Sequence, residues 1–506
     1  MGAALVGAAV GAVALETHRG EPRPSTTTTL GPATASDWAS LASSLAGTLV
    51  LPTSPAYPAD ALLYNAKFVN LHPQAIAYCA SADDVARCVD FATTRAMAIT
   101  ARSGGHSYAG YSSCSGLVVD VSRLSRISVD PGATTATVGA GAQLIDVYNV
   151  LGGQGRLLAA GSCPTVGIAG LALGGGVGVF GRRYGLTSDN LRSLRAVTSD
   201  ARVVTASADQ HADLLWASRG GGGGNFAIAT SFEFTVHPLP EVTLFTLQFS
   251  WSAAAVMLEA WHHWTASAPD ELWSNCQLLV EGTDGYLAQV SGVFCGSPKA
   301  LEGRLASLQA DVGSPTYRFV GSTPYITAMA IEAGCSGLSI AACHLASRDH
   351  GTLARSAYAA KSSYVDAPLS SARVARFVDA VELLHGDAPT LGGGLAFDAY
   401  GGAINLVPAD ATAFVHRDKL AGIQATYSWS DATSPSEVAA GERWLTWLGA
   451  NVFDPATGAY QNYIDPTLAD WAIAYYGANL ARLTSIKRRY DPENHFAFAQ
   501  SIPVAR

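Results

Sequence analysis

Charge is scarce in this chain. Only 14% of its 506 residues are Asp, Glu, Lys or Arg, and the acidic residues outnumber the basic ones, 40 to 31, for a formal net charge of −9. No basic run interrupts the sequence, which excludes a partner recognised through a phosphate backbone, so no nucleic acid is expected. Beyond the N-terminus no apolar run is long and unbroken enough to span a bilayer, so no membrane partner is expected either. There is no C-x-x-C. None of the eight cysteines (Cys79, Cys88, Cys114, Cys163, Cys276, Cys295, Cys335 and Cys343) stands with histidines at zinc spacing, so no metal is expected. The adjacent His262 and His263 cannot share a helix face, and they read as surface or packing residues. No internal repeat is visible.

What is abundant is apolar residues, at 49%, and glycine, at 51 residues. The first suits a globular protein and excludes a disordered one. The length suits two or three domains. The N-terminus, "MGAALVGAAVGAVALETHRG", is an apolar run too short to cross a membrane. Ala12-Val13-Ala14 matches a small-residue cleavage pattern, although a basic n-region is missing. Residues 1–40 are therefore expected to be a leader and a flexible tether, "STTTTLGPATAS". The protein is expected to be secreted or exported, and cytoplasmic if that leader does not function. Val6 stands where N-myristoylation wants Ser or Thr. In an exported protein, Cys335 and Cys343 of "GCSGLSIAACHL" could close a small disulfide loop.

Asp83 and Asp84 mark a helix start, followed by Val85, Cys88, Val89 and Ala92 at helical spacing. "MAIT" reads as a short strand. "ISVDPGATTATVGAG" holds a Pro-Gly turn between two strands, and "LRAVTSDARVVTA" a hairpin around Ser199–Ala201. "FAIATSFEFTVHPLP" alternates like an exposed antiparallel strand that stops at Pro238 and Pro240. From about Thr243 the pattern becomes strand, helix, two strands, then further alternation to about Leu448, which predicts an antiparallel sheet with flanking helices. "DWAIAYYGANLARLTSIKRRYDP" predicts one amphipathic helix ending at a proline, its basic end complementing the helix dipole.

Two stretches carry the chemistry. "TARSGGHSYAGYSS", residues 100–113, puts Arg102, two glycines and His106 in one loop. A Gly-Gly pair costs conformational entropy, so something must approach the backbone closely there. "GSCPTVGIAGLALGGGVGVFGRRYGLTSDN", residues 161–190, is the densest glycine cluster. It contains a formal G-x-G-x-x-G at Gly176, Gly178 and Gly181, with Asp200 some twenty residues on. A dinucleotide fingerprint, however, must follow a buried strand and open a helix. Here Pro164 and repeated glycines precede it and turn residues follow. The better reading is an irregular backbone wrapped around a ligand, its N–H groups able to form nests for phosphate. Cys163 lies in this wrap, 57 residues after His106.

"RSGGHSYAG", the 161–190 stretch, "WASRGGGGGNFAIATSFEF", "YQNYID" and "YYGANLARLTSIKRRYDPENHFAFAQSIP" occur in this order. Together they resemble the berberine bridge enzyme-like flavoprotein oxidases, within the vanillyl-alcohol oxidase type of FAD fold, from about Tyr64 to the C-terminus. The resemblance is loosest in the middle of the chain. It implies an α+β protein: a two-lobed FAD-binding domain of the PCMH type over residues 41–240, a substrate domain with an antiparallel sheet and flanking helices over 241–455, and a segment, 456–506, that returns to the FAD domain.

It further implies FAD joined covalently through His106 to the flavin 8α carbon and through Cys163 to C6. A neutral imidazole nitrogen and a thiolate are suitable nucleophiles for that electron-poor ring. Arg102, Ser103, Gly104, Gly105 and Ser107 would supply phosphate-facing donors, and Gly167, Gly170, Gly174, Gly175 and Gly178 would line the other side. Asn225, Ile228, Tyr460 and Asn462 would be cofactor neighbours. Val166 would border the space beside C4a and leave room for dioxygen.

By the same resemblance Tyr463 is the catalytic base, paired with Asp398 and Tyr400. A free phenol, with a pKa of about 10, is a poor base near neutrality, and a carboxylate beside it raises that value. Asp398 is therefore read as a relay that receives the proton onward. The expected activity is oxidation of a hydroxyl-bearing carbon in a sugar, a glycosylated compound or another polar small molecule, with O2 reduced to hydrogen peroxide. The alternative is a dehydrogenase of the same fold with a non-oxygen acceptor.

Overall fold

The computed structural model describes residues 31–347 and 350–505. The leader and most of the tether lie outside the described residues. The tether is shorter than expected: a helix, Ala35–Ser44, already begins where flexible chain was anticipated. Thr34 caps it, accepting from the Asp37 amide while Asp37 returns the bond, and Trp38 and Leu41 are buried. The capping box stabilises the first turn, and the buried face holds the helix in place.

A four-stranded sheet follows, in the spatial order Thr48–Val50, Ala75–Tyr78, Leu117–Asp120, Ile99–Arg102. Its last three strands are parallel. Parallel neighbours need a crossover. The helix Ala82–Thr93 supplies one, capped by Ser81 and burying Val85, Cys88, Val89 and Ala92 as their spacing predicts. The edge strand stops at Arg102, so the chain leaves the C-terminal end of a parallel strand straight into the Ser103–Gly105 turn. Ligands gather at such strand ends in α/β sheets.

A five-stranded antiparallel sheet comes next, in the order Ile127–Val129, Thr135–Gly139, Ala227–Thr235, Leu191–Thr198, Val203–Ala206. The strand expected to be exposed, Ala227–Thr235, is its centre, paired on both sides. Its alternation reflects two unequally covered faces rather than an open edge. The hairpin at 199–201 forms, with Ala201 at a φ of 59°. Between these sheets the 161–190 segment holds only a six-residue helix, Ile168–Leu173, and shorter turns.

The third sheet has seven antiparallel strands: Tyr317–Ser322, Val242–Phe249, Tyr286–Cys295, Leu272–Glu281, Gly392–Ala399, Ala421–Trp429 and Ala357–Val365, in that spatial order. Successive strand residues face opposite sides. Cys276, Leu278, Leu395, Phe397 and Ile423 pack with Trp261, Phe377, Val381 and Trp444 from the helices Ala254–Ala266, Ser371–Asp387 and Pro435–Asn451 into one core. The alternate residues form the opposite, polar face. There Ser291, Asn275 and Asp398 stand in one cross-strand row, and Gln289, Gln277, Ala396 and Gln424 in the next.

The tail is two helices, Trp471–Tyr476 and Leu480–Tyr490, rather than one. Gly477, at a φ of 47°, breaks the run. The basic end is partly internal: Lys487 is buried and donates to Asp491, to the Asn225 carbonyl (2.7 Å) and to the Phe496 carbonyl (2.8 Å). Cys335 and Cys343 are disulfide-bonded with Cα atoms 5.9 Å apart. The other six cysteines form no disulfide.

Candidate active site

A cavity of about 420 Å³ opens between the glycine loops and the polar face of the seven-stranded sheet. That volume falls in the ordinary range for small-molecule and cofactor sites. Its loop wall begins at Gly104 and Gly105. Gly105 has a φ of 74°, which a side chain would strain, and a Cβ on Gly104 would overlap the backbone of Thr165 and Gly167. The two glycine stretches can meet only because neither carries side chains at this point.

That contact sets His106 beside the second loop. Its Nε2 bonds Thr165 Oγ1 at 2.8 Å, and its ring stacks on Tyr64 with centroids 4.0 Å apart. Cys163, two residues before Thr165, lines the same cavity and is accessible from it. The surrounding protein pushes its thiol pKa up. Ser103, Ser107, Val166, Gly167, Gly170 and Gly178 also line the cavity. The Ser103 hydroxyl donates to the Ala140 carbonyl (2.7 Å), and the Ser107 hydroxyl accepts from the Tyr111 amide (3.0 Å), so both are already engaged by the protein.

The "YQNYID" segment closes the cavity from the C-terminal side. The Tyr460 hydroxyl accepts from the Gly176 amide (2.9 Å), the Val177 amide (3.2 Å) and Asn462 Nδ2 (2.9 Å). Burial raises this phenol's pKa, and those donors oppose the rise. Tyr463 stacks on Tyr108 at 5.3 Å and meets Tyr460 edge-on at 4.9 Å. Burial first, and then Asp398, lift the Tyr463 phenol well above its ordinary value.

The sheet wall presents Asp398, Asn275, Gln277, Gln424 and Trp273. Asp398 Oδ1 accepts from Asn275 Nδ2 at 2.6 Å. Burial pushes the Asp398 carboxyl up to about 6 in spite of that bond. Gln424 Nε2 donates to the Tyr108 hydroxyl at 2.6 Å. Glu332, on the helix Tyr325–Glu332, also faces this space, and burial followed by Asp398 pushes it up to about 7.

Six expected site residues do not line this cavity. Arg102 is fully buried, with Nε 2.5 Å from Asp120 and Nη1 donating to the Asp60 carbonyl (2.8 Å). Its guanidinium joins the ends of two neighbouring strands instead of meeting a phosphate. Asn225 holds the tail, its Oδ1 accepting from the Ile502 amide (2.9 Å), and Ile228 is a core residue. Gly174 and Gly175 make room for protein: a Cβ there would meet Asn462 and Gln461, or Phe414. Tyr400 borders only a small side cavity shared with Asp398, Tyr460 and Tyr463, and its ring packs edge-on against Tyr364 at 5.5 Å.

Sequence reasoning passed over Tyr64, Tyr108, Thr165, Asn275, Gln277, Gln424 and Glu332. A signal existed for some of them. Asn275 and Gln277 are the polar alternates in the strand "LWSNCQLLVE", and Glu332 is the one charge in the apolar helix "YITAMAIE". Among the described residues no group of His, Cys, Asp and Glu is placed to hold a metal.

Residues 73–207 match the model of an FAD binding domain family, and residues 459–503 match that of a berberine and berberine-like family. The chain is 33% identical over 440 residues to YgaK of Bacillus subtilis, an FAD-linked oxidoreductase, covering 86% of this chain and 92% of that one. Its fold is similar to the solved BBE-like 1 of Physcomitrella patens (TM-score 0.83, 29% identity, 93% of this chain and 99% of that one). It is also similar to a glucooligosaccharide oxidase from Acremonium strictum (TM-score 0.81, 29% identity, 93% and 99%), described as carrying a 6-S-cysteinyl, 8α-N1-histidyl FAD.

Proposed function

Because this chain belongs to the berberine bridge enzyme-like FAD-linked oxidoreductases and is an FAD-dependent oxidase, we propose that it oxidises a hydroxyl-bearing carbon of a sugar, a glycosylated compound or another polar small molecule. Its FAD would be tethered twice, through His106 and Cys163. One observation carries this reading: two nucleophilic side chains from separate glycine loops share a cavity with a tyrosine and a carboxylate.

The residues present fit the cofactor. Backbone packs directly on backbone at Gly104 and Gly178, which draws the two loops together beside the cavity, and an imidazole and a thiol face that space. Bound there, FAD would supply at N5 the two-electron acceptor for a hydride and pass the pair to dioxygen as hydrogen peroxide. Thr165 orients the imidazole and Tyr64 supports its face. Val166 leaves open the side where dioxygen would arrive. Residues 41–240 and 456–506 would hold the cofactor, and residues 241–455 the substrate.

The substrate proton falls to Tyr463. Its raised pKa keeps the phenol protonated, so it can take the substrate proton only as it releases its own. Asp398 is the acceptor. Burial pushes its carboxyl up to about 6, and Asn275 Nδ2 holds one oxygen in place while the other takes the proton. The amides of the sheet wall suit a substrate with several hydroxyls, as does the glucooligosaccharide oxidase likeness.

Acid precipitation of the purified protein tests the tethers. A yellow pellet with FAD mass on both the His106 and the Cys163 peptide is expected. His106→Ala and Cys163→Ala should each leave one linkage, and the double variant a colourless pellet. A colourless wild-type pellet would overturn the double tether. Anaerobic bleaching by hydroxylated compounds, with one peroxide formed per turnover in air, tests the reaction. Dye reduction without peroxide would instead establish the dehydrogenase.

A further inference from the structure

Glu332 belongs to no part of the reaction proposed above. In its helix the inward residues are Tyr325, Ala328 and Met329, and position 332 continues that stripe by one turn, whereas Ile331 is exposed. The carboxyl is therefore carried to the cavity on the buried side of an apolar helix. Among the described residues it has neither an ion-pair nor a hydrogen-bond partner.

On the sheet wall opposite, one N–H of Asn275 Nδ2 goes to Asp398 and one of Gln424 Nε2 to Tyr108. Asn275 Oδ1 is buried, in a residue 8% exposed, and without a hydrogen-bond partner. Gln277 Oε1 accepts only from Gln289 (3.1 Å). Among the described residues Gln277 Nε2 makes no hydrogen bond, and the buried indole N–H of Trp273 is also unpaired. No lysine or arginine lines the cavity. Two carboxyls and an orphaned amide oxygen thus converge with no cation to meet them, and a buried acceptor without a partner is costly.

We propose that Glu332, with Asp398 and Asn275 Oδ1, forms a cation subsite, and that the substrate is a hydroxylated compound bearing a protonated amine. An ammonium brings three donors and the missing charge to three acceptors. Burial and, after it, the neighbouring Asp398 push Glu332 up to about 7, and a bound cation would offset the part that Asp398 contributes. The amine is recognised and stays unoxidised; the carbon that loses hydride remains the carbinol. The substrate class rests on the reading of this cavity as the substrate site, but the subsite can be tested by binding alone.

Three probes of one shape separate charge from shape: trans-4-aminocyclohexanol, its N-acetyl derivative and trans-cyclohexane-1,4-diol, titrated anaerobically into the holoprotein near pH 8 and read by perturbation of the flavin spectrum. The ammonium is expected to bind roughly tenfold more tightly than either neutral probe. In Glu332→Gln the preference should fall to within roughly threefold, and in Glu332→Asp it should persist in part. Equal affinities in the wild type, no ammonium binding at about 100 mM, or a preference that survives Glu332→Gln would each overturn the subsite. The wild-type comparison decides the matter even where a variant fails to fold. If no hydroxyl compound ever bleaches the flavin, the proposed reaction fails while this binding result stands. Equal binding in a protein that does turn over removes only the cation subsite.

Discussion

One wall of the cavity is backbone and the other is side chain. On the loop side, Gly104, Gly105, Gly167 and Gly178 bring two stretches of main chain together, and His106 and Cys163 are the nucleophiles they carry to the cavity. On the sheet side the main chain is locked in ladders, and the work passes to alternate side chains: Asn275, Gln277, Asp398, Gln424. A backbone wall can hold a large constant cofactor, because its shape depends on glycine positions. A side-chain wall can be changed residue by residue without disturbing the strands beneath. Alterations of the first should therefore be read in cofactor retention and folding, and alterations of the second in rate and substrate choice.

The sharpest way to break this division is Tyr463, which sits where the two walls meet. Tyr463→Phe should lower the anaerobic flavin-reduction rate by roughly 10²–10⁴-fold, with the flavin still attached in the acid pellet. Loss of the flavin instead would make Tyr463 a packing residue of the loop wall. Next in size is Arg102→Ala. Removing the guanidinium takes the charge partner from the buried Asp120 and should cost about 3–5 kcal/mol of folding stability, measured by denaturant titration. The reduction rate of the folded fraction should be unchanged. Were Arg102 a phosphate ligand, stability would hold and cofactor would be lost.

A smaller effect concerns Asp398. Burial raises its carboxyl to about 6, and it accepts a proton only when ionised. The reduction rate should thus be full above that pH and fall by roughly tenfold per pH unit below it. Asp398→Asn should lower the plateau and abolish the step. A step that persists in Asp398→Asn would assign the titration to another group. The smallest is Asn462→Ala, which removes one of three donors to the Tyr460 hydroxyl and should cost about 1 kcal/mol in thermal or denaturant stability.

The two walls also differ in how far they could be read in advance. The Gly-Gly-His loop and the Cys163 wrap stood out because a pair of glycines has few other uses, and both line the cavity. Gly174 and Gly175 carried the same signal and proved to admit Asn462 and Phe414 instead. Glycine announces a close approach without saying what approaches. Arg102 misled for a similar reason: beside a glycine loop an arginine suggests an anion, yet the anion is Asp120, placed by strand register. Glu332 and Gln424 left almost no trace, since a single polar residue in an apolar helix or an alternating strand looks like ordinary surface.

What the amino-acid order determined by itself is local: where helices start, where the chain must turn, which strands alternate, and that two glycine-rich stretches admit a close approach. These follow from backbone sterics and side-chain periodicity, which act over a few residues. Which residues meet was left to the tertiary structure. The pairing of Asn275 with Asp398 across 123 positions, the burial that lifts Asp398 and Glu332 toward neutrality, and the choice of Asp120 for Arg102 all depend on strand order, register and the exclusion of water. Those are properties of the packed whole, because electrostatic energy is decided by distance and solvent access and not by separation along the chain.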